Sequence, residues 1–149
     1  MSAIATGSAE LLKSLQGRWK TVYTEIDGQL GPSEESQFLT YKDGTFTVEK
    51  NGKVAHEGRF SISTSCGPAE IVYIYTKSFP IYLGGPRAGI VQLQGDTLKC
   101  CFAAVGHRPP GEFNTYPGAE RVLTTHERVI DGRIGPRIQV SVAGSGVAW

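Results

Sequence analysis

The spacing of hydrophobic residues changes from helical to alternating at Gly17. In the segment SAELLKSLQG (8–17), Ser8 suits a helix N-cap, Gly17 suits a terminator, and the leucines recur at helical spacing. Those leucines are Leu11, Leu12 and Leu15. Because so short a helix is not stable alone in water, we expect it to pack as a plug against the rest of the fold.

Alternation with a period of two begins after Gly17 and predicts β-strands for most of the remaining chain. Asp-Gly and Asn-Gly pairs separate several segments, and such pairs favour hairpins because both residues tolerate positive φ. Strands are predicted at 18–26, 36–43, 45–50, 53–63, 70–76, 89–94, 97–104, 121–129 and 137–143. The irregular stretch 105–120, which contains three prolines, is predicted to be an ordered surface loop.

The number and length of these strands predict the fold class. Eight or nine short antiparallel strands with one N-terminal helix are typical of an all-β protein that forms a single up-and-down β-barrel, because full closure removes exposed strand edges. A chain of 149 residues suits one domain of this size, so residues 1–149 are predicted to form one barrel.

Three residues are predicted to close the barrel at one end: Gly17, Trp19 and Arg128. A glycine lets the chain turn under the barrel floor where space is shortest, and the Trp19 indole then fills the narrow end. Arg128 on a closing strand is expected to lie over the face of the indole. The register that follows places Thr21 opposite His126, Tyr23 opposite Thr124 and Glu25 opposite Val122, all on the interior face.

The Gly-x-Trp motif with a closing arginine resembles the lipocalin motif. Four longer segments are similar to an uncharacterised family of small bacterial lipocalin-like domains that is abundant in planctomycetes. They are LQGRWKTVYTEIDGQ (15–29), GKVAHEGRFSI (52–62), LQGDTLKCCFA (93–103) and RPPGEFNTYPGAERVL (108–123). The resemblance covers residues 11–129, leaves the extension 130–149 outside, and implies a lipocalin-like (calycin-like) barrel without implying an activity. Residues 123–128 (LTTHER) place hydroxyls and an imidazole where the family closes with an apolar strand, which favours a specialised pocket.

Aromatic residues on the predicted strands are candidates to line a cavity for an apolar ligand. With the two polar residues of the closing strand, the predicted ligand-binding set is Tyr23, Phe46, Phe60, Tyr73, Tyr75, Thr124 and His126. Ordinary core packing is the alternative, because an eight-stranded barrel is either filled by its own side chains or holds one small ligand.

Three polar residues are candidates for catalysis: Tyr23, His126 and Glu25. An imidazole titrates near neutral pH and therefore suits a proton shuttle, and a carboxylate in a partly apolar barrel has a raised pKa that suits an acid or base. The alternatives are a hydrogen-bonded core or surface histidine and a solvated carboxylate at the rim.

Charge and targeting features narrow the classes of partner. Fifteen Lys and Arg residues against 14 Asp and Glu residues give a net charge of +1, which does not favour binding to nucleic acid. No apolar run is long enough for a membrane span, and the first residues lack the pattern of a secretory signal. A cytoplasmic location is therefore expected.

Metal and thiol chemistry are not predicted. The cysteines, Cys66, Cys100 and Cys101, form no CxxC pattern and are expected to be reduced. The histidines, His56, His107 and His126, lack metal-ligand spacing. We therefore expect no metal and no cofactor.

The leading functional prediction is binding of a small, largely apolar molecule inside the barrel, with aromatic side chains supplying burial and polar groups supplying anchors. The alternative is a cofactor-independent cyclase or isomerase of secondary metabolism that acts on a polyketide-like substrate, with the barrel interior as its active site. A third hypothesis is that the protein is an interaction module that docks to another protein. In this hypothesis the apolar tail 130–149, which ends in Trp149, forms an added strand, a lid or a homodimer contact.

Overall fold

The computed structural model of the chain describes residues 8–32, 36–64, 67–130 and 133–134. Helix α1 spans Ser8–Leu15 and a 3-10 helix spans Pro80–Gly84. The strands are β1 (Gly17–Ile26), β2 (Gln29–Pro32), β3 (Gln37–Lys42), β4 (Thr45–Lys50), β5 (Lys53–Ser63), β6 (Ala69–Lys77), β7 (Arg87–Gln94), β8 (Thr97–Phe102), β9 (Val122–Ile130) and β10 (Arg133–Ile134).

Eight of these strands form a closed ring. The sheet runs antiparallel from β3 through β9, and β1 pairs with both β3 and β9, which joins the two ends. Strands β2 and β10 add short pairings to β1 and β9. This architecture confirms the predicted all-β, lipocalin-like up-and-down barrel with one short N-terminal helix. The predicted strand 137–143, Cys66 and Trp149 lie outside the described residues.

Turn chemistry explains why the chain reverses where it does. Both residues of the Asp27-Gly28 and Asn51-Gly52 pairs have positive φ, which is the conformation that tight hairpins require. These turns fix the ends of β1 and β4, and the alternating segments between the turns then bury one face each.

Trp19 and Arg128 close one end of the barrel, as predicted. The Arg128 guanidinium carbon lies 4.3 Å from the centroid of the buried Trp19 ring, and its Nε donates to Asp96 at 2.8 Å. The guanidinium also donates to the backbone oxygens of Gln16 and Ser14, and Trp19 Nε1 donates to the backbone oxygen of Leu15 at 3.0 Å. Helix α1 is therefore held across the floor of the barrel, which confirms its predicted role as a plug.

Gly17 makes the turn into β1, but the physical reason differs from the predicted one. A Cβ at this position would lie 3.7 Å from Arg128 Nη1, which is ordinary van der Waals contact. The backbone φ of +122° is the unusual feature, because residues with a Cβ rarely adopt it. Conformation, not lack of space, therefore requires glycine here.

The predicted register of β1 against β9 is correct only as far as Thr21. Trp19 lies opposite Arg128 and Thr21 opposite His126, but a bulge follows. Tyr23 therefore pairs with Thr125 and Glu25 pairs with Leu123, so the predicted pairings with Thr124 and Val122 are wrong. Because one extra residue reverses the alternation of faces, the prediction that Tyr23 and Glu25 face the interior is also wrong.

The two residues displaced by the bulge lie on the outer face, where the loop between β8 and β9 packs. The Thr115 hydroxyl donates to the Glu25 carboxylate, and the Gly28 amide donates to the Thr115 hydroxyl at 2.8 Å. The Glu120 amide donates to the Asp27 carboxylate at 2.7 Å. The loop is thus an ordered part of the barrel wall, as predicted.

Candidate functional site

A cavity of about 200 Å³ lies inside the barrel, at the end opposite α1. Each of the eight strands of the closed ring contributes at least one lining side chain, and Tyr82 of the 3-10 helix adds another. Thr24 and Ile26 line it because the β1 bulge turns them inward, opposite Thr124 and Val122. The cavity is therefore a product of the closed sheet and not of a single loop.

One wall of the cavity is aromatic. Tyr75 stacks on Tyr82 with ring centroids 5.2 Å apart, and Tyr73 lies 4.6 Å from Phe102 in a tilted contact. Deeper in the barrel, the hydroxyls of Tyr73 and Tyr41 share a hydrogen bond of 2.6 Å. Burial raises the pKa of both of these hydroxyls well above the ordinary value, so both tyrosines are neutral.

A chain of hydrogen bonds crosses the opposite wall. The Gln37 amide donates to Thr21 Oγ1 at 3.3 Å, and that hydroxyl contacts His126 Nδ1 at 2.9 Å. His126 Nε2 contacts Thr124 Oγ1 at 2.9 Å, and Thr124 also hydrogen-bonds the thiol of Cys100. We call this set, Gln37, Thr21, His126, Thr124 and Cys100, the polar chain.

Burial determines the protonation of the polar chain. Burial lowers the pKa of His126 to about 3, so the imidazole is neutral and one ring nitrogen donates while the other accepts. Burial also raises the pKa of Cys100 to about 12, which keeps its sulfur as a thiol. The chain therefore offers hydrogen bonds and no net charge.

Cationic groups stand at the mouth of the cavity. Arg87 Nε donates to the Ala103 backbone oxygen at 3.0 Å, and Arg87 Nη1 donates to the Tyr75 hydroxyl at 3.2 Å. Its guanidinium carbon lies 4.8 Å from the centroid of Tyr82, so the group is held against the aromatic wall. Lys50 of β4 also lines the mouth.

His56 lies near these cations and is held by Ser78. Its Nδ1 is 2.5 Å from the Ser78 hydroxyl, and the imidazole packs against Tyr75 and Tyr82. Burial, with smaller contributions from Lys50 and Arg87, lowers the pKa of His56 to about 4. This imidazole is neutral near pH 7.

The structure brings together four of the seven predicted ligand-binding residues: Tyr73, Tyr75, Thr124 and His126. Phe46 and Phe60 do not line the cavity. Phe46 stacks on Tyr73 at 3.9 Å and Phe60 packs on Tyr41 at 4.6 Å, both within the core. Tyr23 lies on the outer face, so the three predicted catalytic candidates, Tyr23, His126 and Glu25, are not gathered at one site.

Several lining residues were not predicted, although alternation carries a signal for most of them. His56 precedes Gly58 and Phe60 at period two on β5, and Phe102 follows Cys100 at the same spacing on β8. The sequence pattern predicts a strand that begins at residue 89 and so does not point to Arg87, whereas β7 begins at Arg87 itself.

A larger groove of about 540 Å³ lies beside α1, at the closed end of the barrel. Its polar lining comes mainly from exposed helix residues such as Glu10, Lys13 and Ser14, and among the described residues no aromatic or histidine side chain borders it. Of these two pockets, the interior cavity is the one that described aromatic and histidine side chains border.

Fold and cavity together define the class as a lipocalin-like barrel with an interior cavity. No protein-family model, no curated protein and no solved structure matches the chain. Within the described residues, no group of three or more His, Cys, Asp and Glu side chains is placed to hold a metal ion. The described part of the chain also has no helix long and apolar enough to cross a membrane.

Proposed function

We propose that this protein binds a small, largely apolar molecule in the barrel cavity. The observation that carries the proposal is a central cavity to which all eight strands of the ring contribute, with an aromatic wall facing a polar chain. An apolar protein cavity of about 150 Å³ accommodates benzene. A cavity of about 200 Å³ therefore suits a ligand with one or two rings.

The aromatic wall and the polar chain would make different contributions to ligand binding. Contact with Tyr73, Tyr75 and Phe102 removes apolar ligand surface from water, which contributes about 25 cal/mol for each Å² buried. The Thr124 and His126 side chains supply fixed hydrogen-bonding partners that orient a ligand polar atom. His126 acts here as an anchor, because a base with a pKa of about 3 is poorly matched to proton transfer near pH 7.

A cavity-filling substitution tests the proposal. Val48 lines the cavity on β4, whereas its neighbour Thr47 lies on the other face of the strand. We expect 2-naphthol or 2-naphthoate to bind the unmodified protein, and we expect Val48→Phe to weaken that binding at least about 10-fold, because the new ring occupies ligand space. Isothermal titration calorimetry measures the affinity.

Thr47→Phe is the matched control, since it adds the same ring outside the cavity and should leave the affinity within about a factor of two. Equal binding by the Val48→Phe and Thr47→Phe variants would place the ligand elsewhere. Absence of binding of both naphthalene probes to the unmodified protein would overturn the proposal.

The remaining functional expectations stay predictions. A cofactor-independent cyclase or isomerase would use the same cavity, but two of its three predicted catalytic residues, Tyr23 and Glu25, lie outside it. A cytoplasmic location, a homodimer and membership of the small bacterial lipocalin-like family likewise stay predictions.

A further inference from the structure

The charged side chains that line the cavity are cations. Lys50 comes from β4 and Arg87 from β7, and β5 and β6 separate these strands in the ring. Among the described residues, no Asp or Glu lines the cavity. The mouth of the cavity therefore carries two positive charges, one on each of two different walls.

Arg87 is oriented and retains donors for a ligand. A guanidinium has five N–H groups. The described residues account for two of those on Arg87, through the Ala103 backbone oxygen and the Tyr75 hydroxyl. The rings of Tyr82 and Phe102 lie 4.8 and 5.4 Å from its central carbon and hold the plane of the group. Such a fixed fork suits an anion with two equivalent oxygens.

Tyr75 adds a neutral donor beside this guanidinium. Its oxygen accepts the hydrogen bond from Arg87 Nη1, which leaves the O–H hydrogen to donate in another direction. Burial raises the pKa of Tyr75, so the hydroxyl keeps that hydrogen near neutral pH. Arg87 and Tyr75 together present adjacent donors at the edge of the aromatic wall.

The neighbouring imidazole reports the positive potential of the mouth. After burial, the two causes of the lowered pKa of His56 are Lys50 and Arg87. The same field that disfavours a third positive charge favours a negative one.

We propose that the ligand is an apolar ring compound that carries a carboxylate, with the carboxylate at the mouth against Arg87, Tyr75 and Lys50 and the ring body in the cavity. This inference rests on the proposed function and narrows its ligand class. A charge-assisted hydrogen bond to a guanidinium contributes more than a neutral one, so the carboxylate should raise affinity about 10-fold or more over an uncharged equivalent of the same shape.

A pair of matched probes tests this inference on the full chain. The affinities of 2-naphthoate and its neutral isostere 2-naphthamide are measured by isothermal titration calorimetry at pH 7. We expect 2-naphthoate to bind about 10-fold more tightly or better. Equal affinities, or tighter binding of the amide, would overturn the carboxylate assignment while leaving the proposed function intact, whereas failure of both probes and of 2-naphthol would overturn the proposed function itself.

Single substitutions then locate the anion site. We expect Arg87→Gln and Lys50→Gln each to reduce the naphthoate preference, with Arg87→Gln having the larger effect because its fork is oriented. Lys53→Gln removes an exposed cation of the neighbouring strand and is the control for net charge, so it should leave the preference unchanged.

Binding of 2-naphthamide checks that the cavity of each variant is intact. If the Arg87→Gln protein binds neither probe because its cavity is disturbed, the test rests on Lys50→Gln. The ratio of its affinities for 2-naphthoate and 2-naphthamide then shows whether the mouth recognises the carboxylate. A naphthoate preference that survives both substitutions would overturn the proposal.

Discussion

At the scale of single residues, the barrel depends on polar side chains that make several hydrogen bonds to different elements. Arg128 illustrates this dependence, because one guanidinium covers the Trp19 ring, pairs with Asp96 and caps the backbone oxygens that end α1. A long cation at the last turn of a helix also interacts favourably with the free carbonyl groups there. One side chain thus joins the helix, the first strand and the closing strand.

Arg128→Ala should lower the free energy of unfolding by about 2–3 kcal/mol, because it removes hydrogen bonds to Asp96 and to the helix end together with the contact on the indole. Urea unfolding followed by circular dichroism measures the loss. Arg18→Ala is the matched control: its guanidinium pairs with Glu49 on the exposed surface, and such pairs contribute about 1 kcal/mol or less. Equal losses in the two variants would contradict the role given to Arg128.

At the scale of elements, a glycine in one strand makes room for the side chain or the backbone of an adjacent strand. Gly58 of β5 lies opposite Phe46 of β4, and a Cβ there would come within 2.8 Å of the Phe46 ring and 2.1 Å of the Ile74 backbone oxygen. Because a backbone atom cannot move aside as a flexible side chain can, the glycine is required by close approach.

Gly58→Ala should therefore destabilise the barrel by about 2 kcal/mol or more, through overpacking of the β4, β5 and β6 wall. The midpoint of thermal unfolding measures the effect. Gly111→Ala serves as the control, since nothing lies within 4 Å of its added Cβ and its φ is not left-handed. A Gly58→Ala protein as stable as the Gly111→Ala protein would show that the wall relaxes around the methyl group.

The β1 bulge marks the limit of sequence reasoning about elements. Most strands and turns are predictable because alternation and Asp-Gly or Asn-Gly pairs are local signals. The contact of Trp19 with Arg128 is predictable because it requires only that the two residues face the interior on the first and closing strands. The bulge after Thr21 has no comparable signal, because the intervening Val22 is an ordinary strand residue. Every interior assignment beyond it on β1 was therefore reversed.

At the scale of the whole molecule, two buried histidines couple stability to pH. The pKa values of His126 and His56 are lowered to about 3 and about 4, whereas an unfolded chain binds these protons near pH 6.5. As pH falls below about 6.5, protons bind to the unfolded state first and favour unfolding. The stabilisation is thus complete above that pH and is lost progressively toward pH 4 and pH 3.

Between pH 6 and pH 5, each of these histidines should reduce the free energy of unfolding by up to about 1.4 kcal/mol per pH unit. Urea titrations at several pH values measure the slope. The His126→Gln and His56→Gln variants should each show a shallower slope than the unmodified protein, and the double variant the shallowest. A slope unchanged in both single variants would contradict the buried, neutral state of the imidazoles.

The size of the cavity also belongs to the whole molecule, and sequence patterns do not predict it. Tyr73, Tyr75, Thr124 and His126 were predicted to line the site because their strand phases follow from alternation. The cavity volume is instead the small difference between the barrel interior and the side chains that fill it, so it depends on every strand at once. That Arg87 and Lys50 line the same cavity could not be predicted either, because it depends on how the closed ring places β7 and β4.

The pairing of β1 with β9 has a consequence for biosynthesis. Thr21 and His126, which contact each other across this pairing, stand 105 positions apart in the chain. A nascent chain on the ribosome therefore presents β1 with no closing partner until β9 has emerged, and such distant contacts form slowly. Until then the ribbon has two open edges and no sealed interior, so the cavity forms only after β9 has been synthesised.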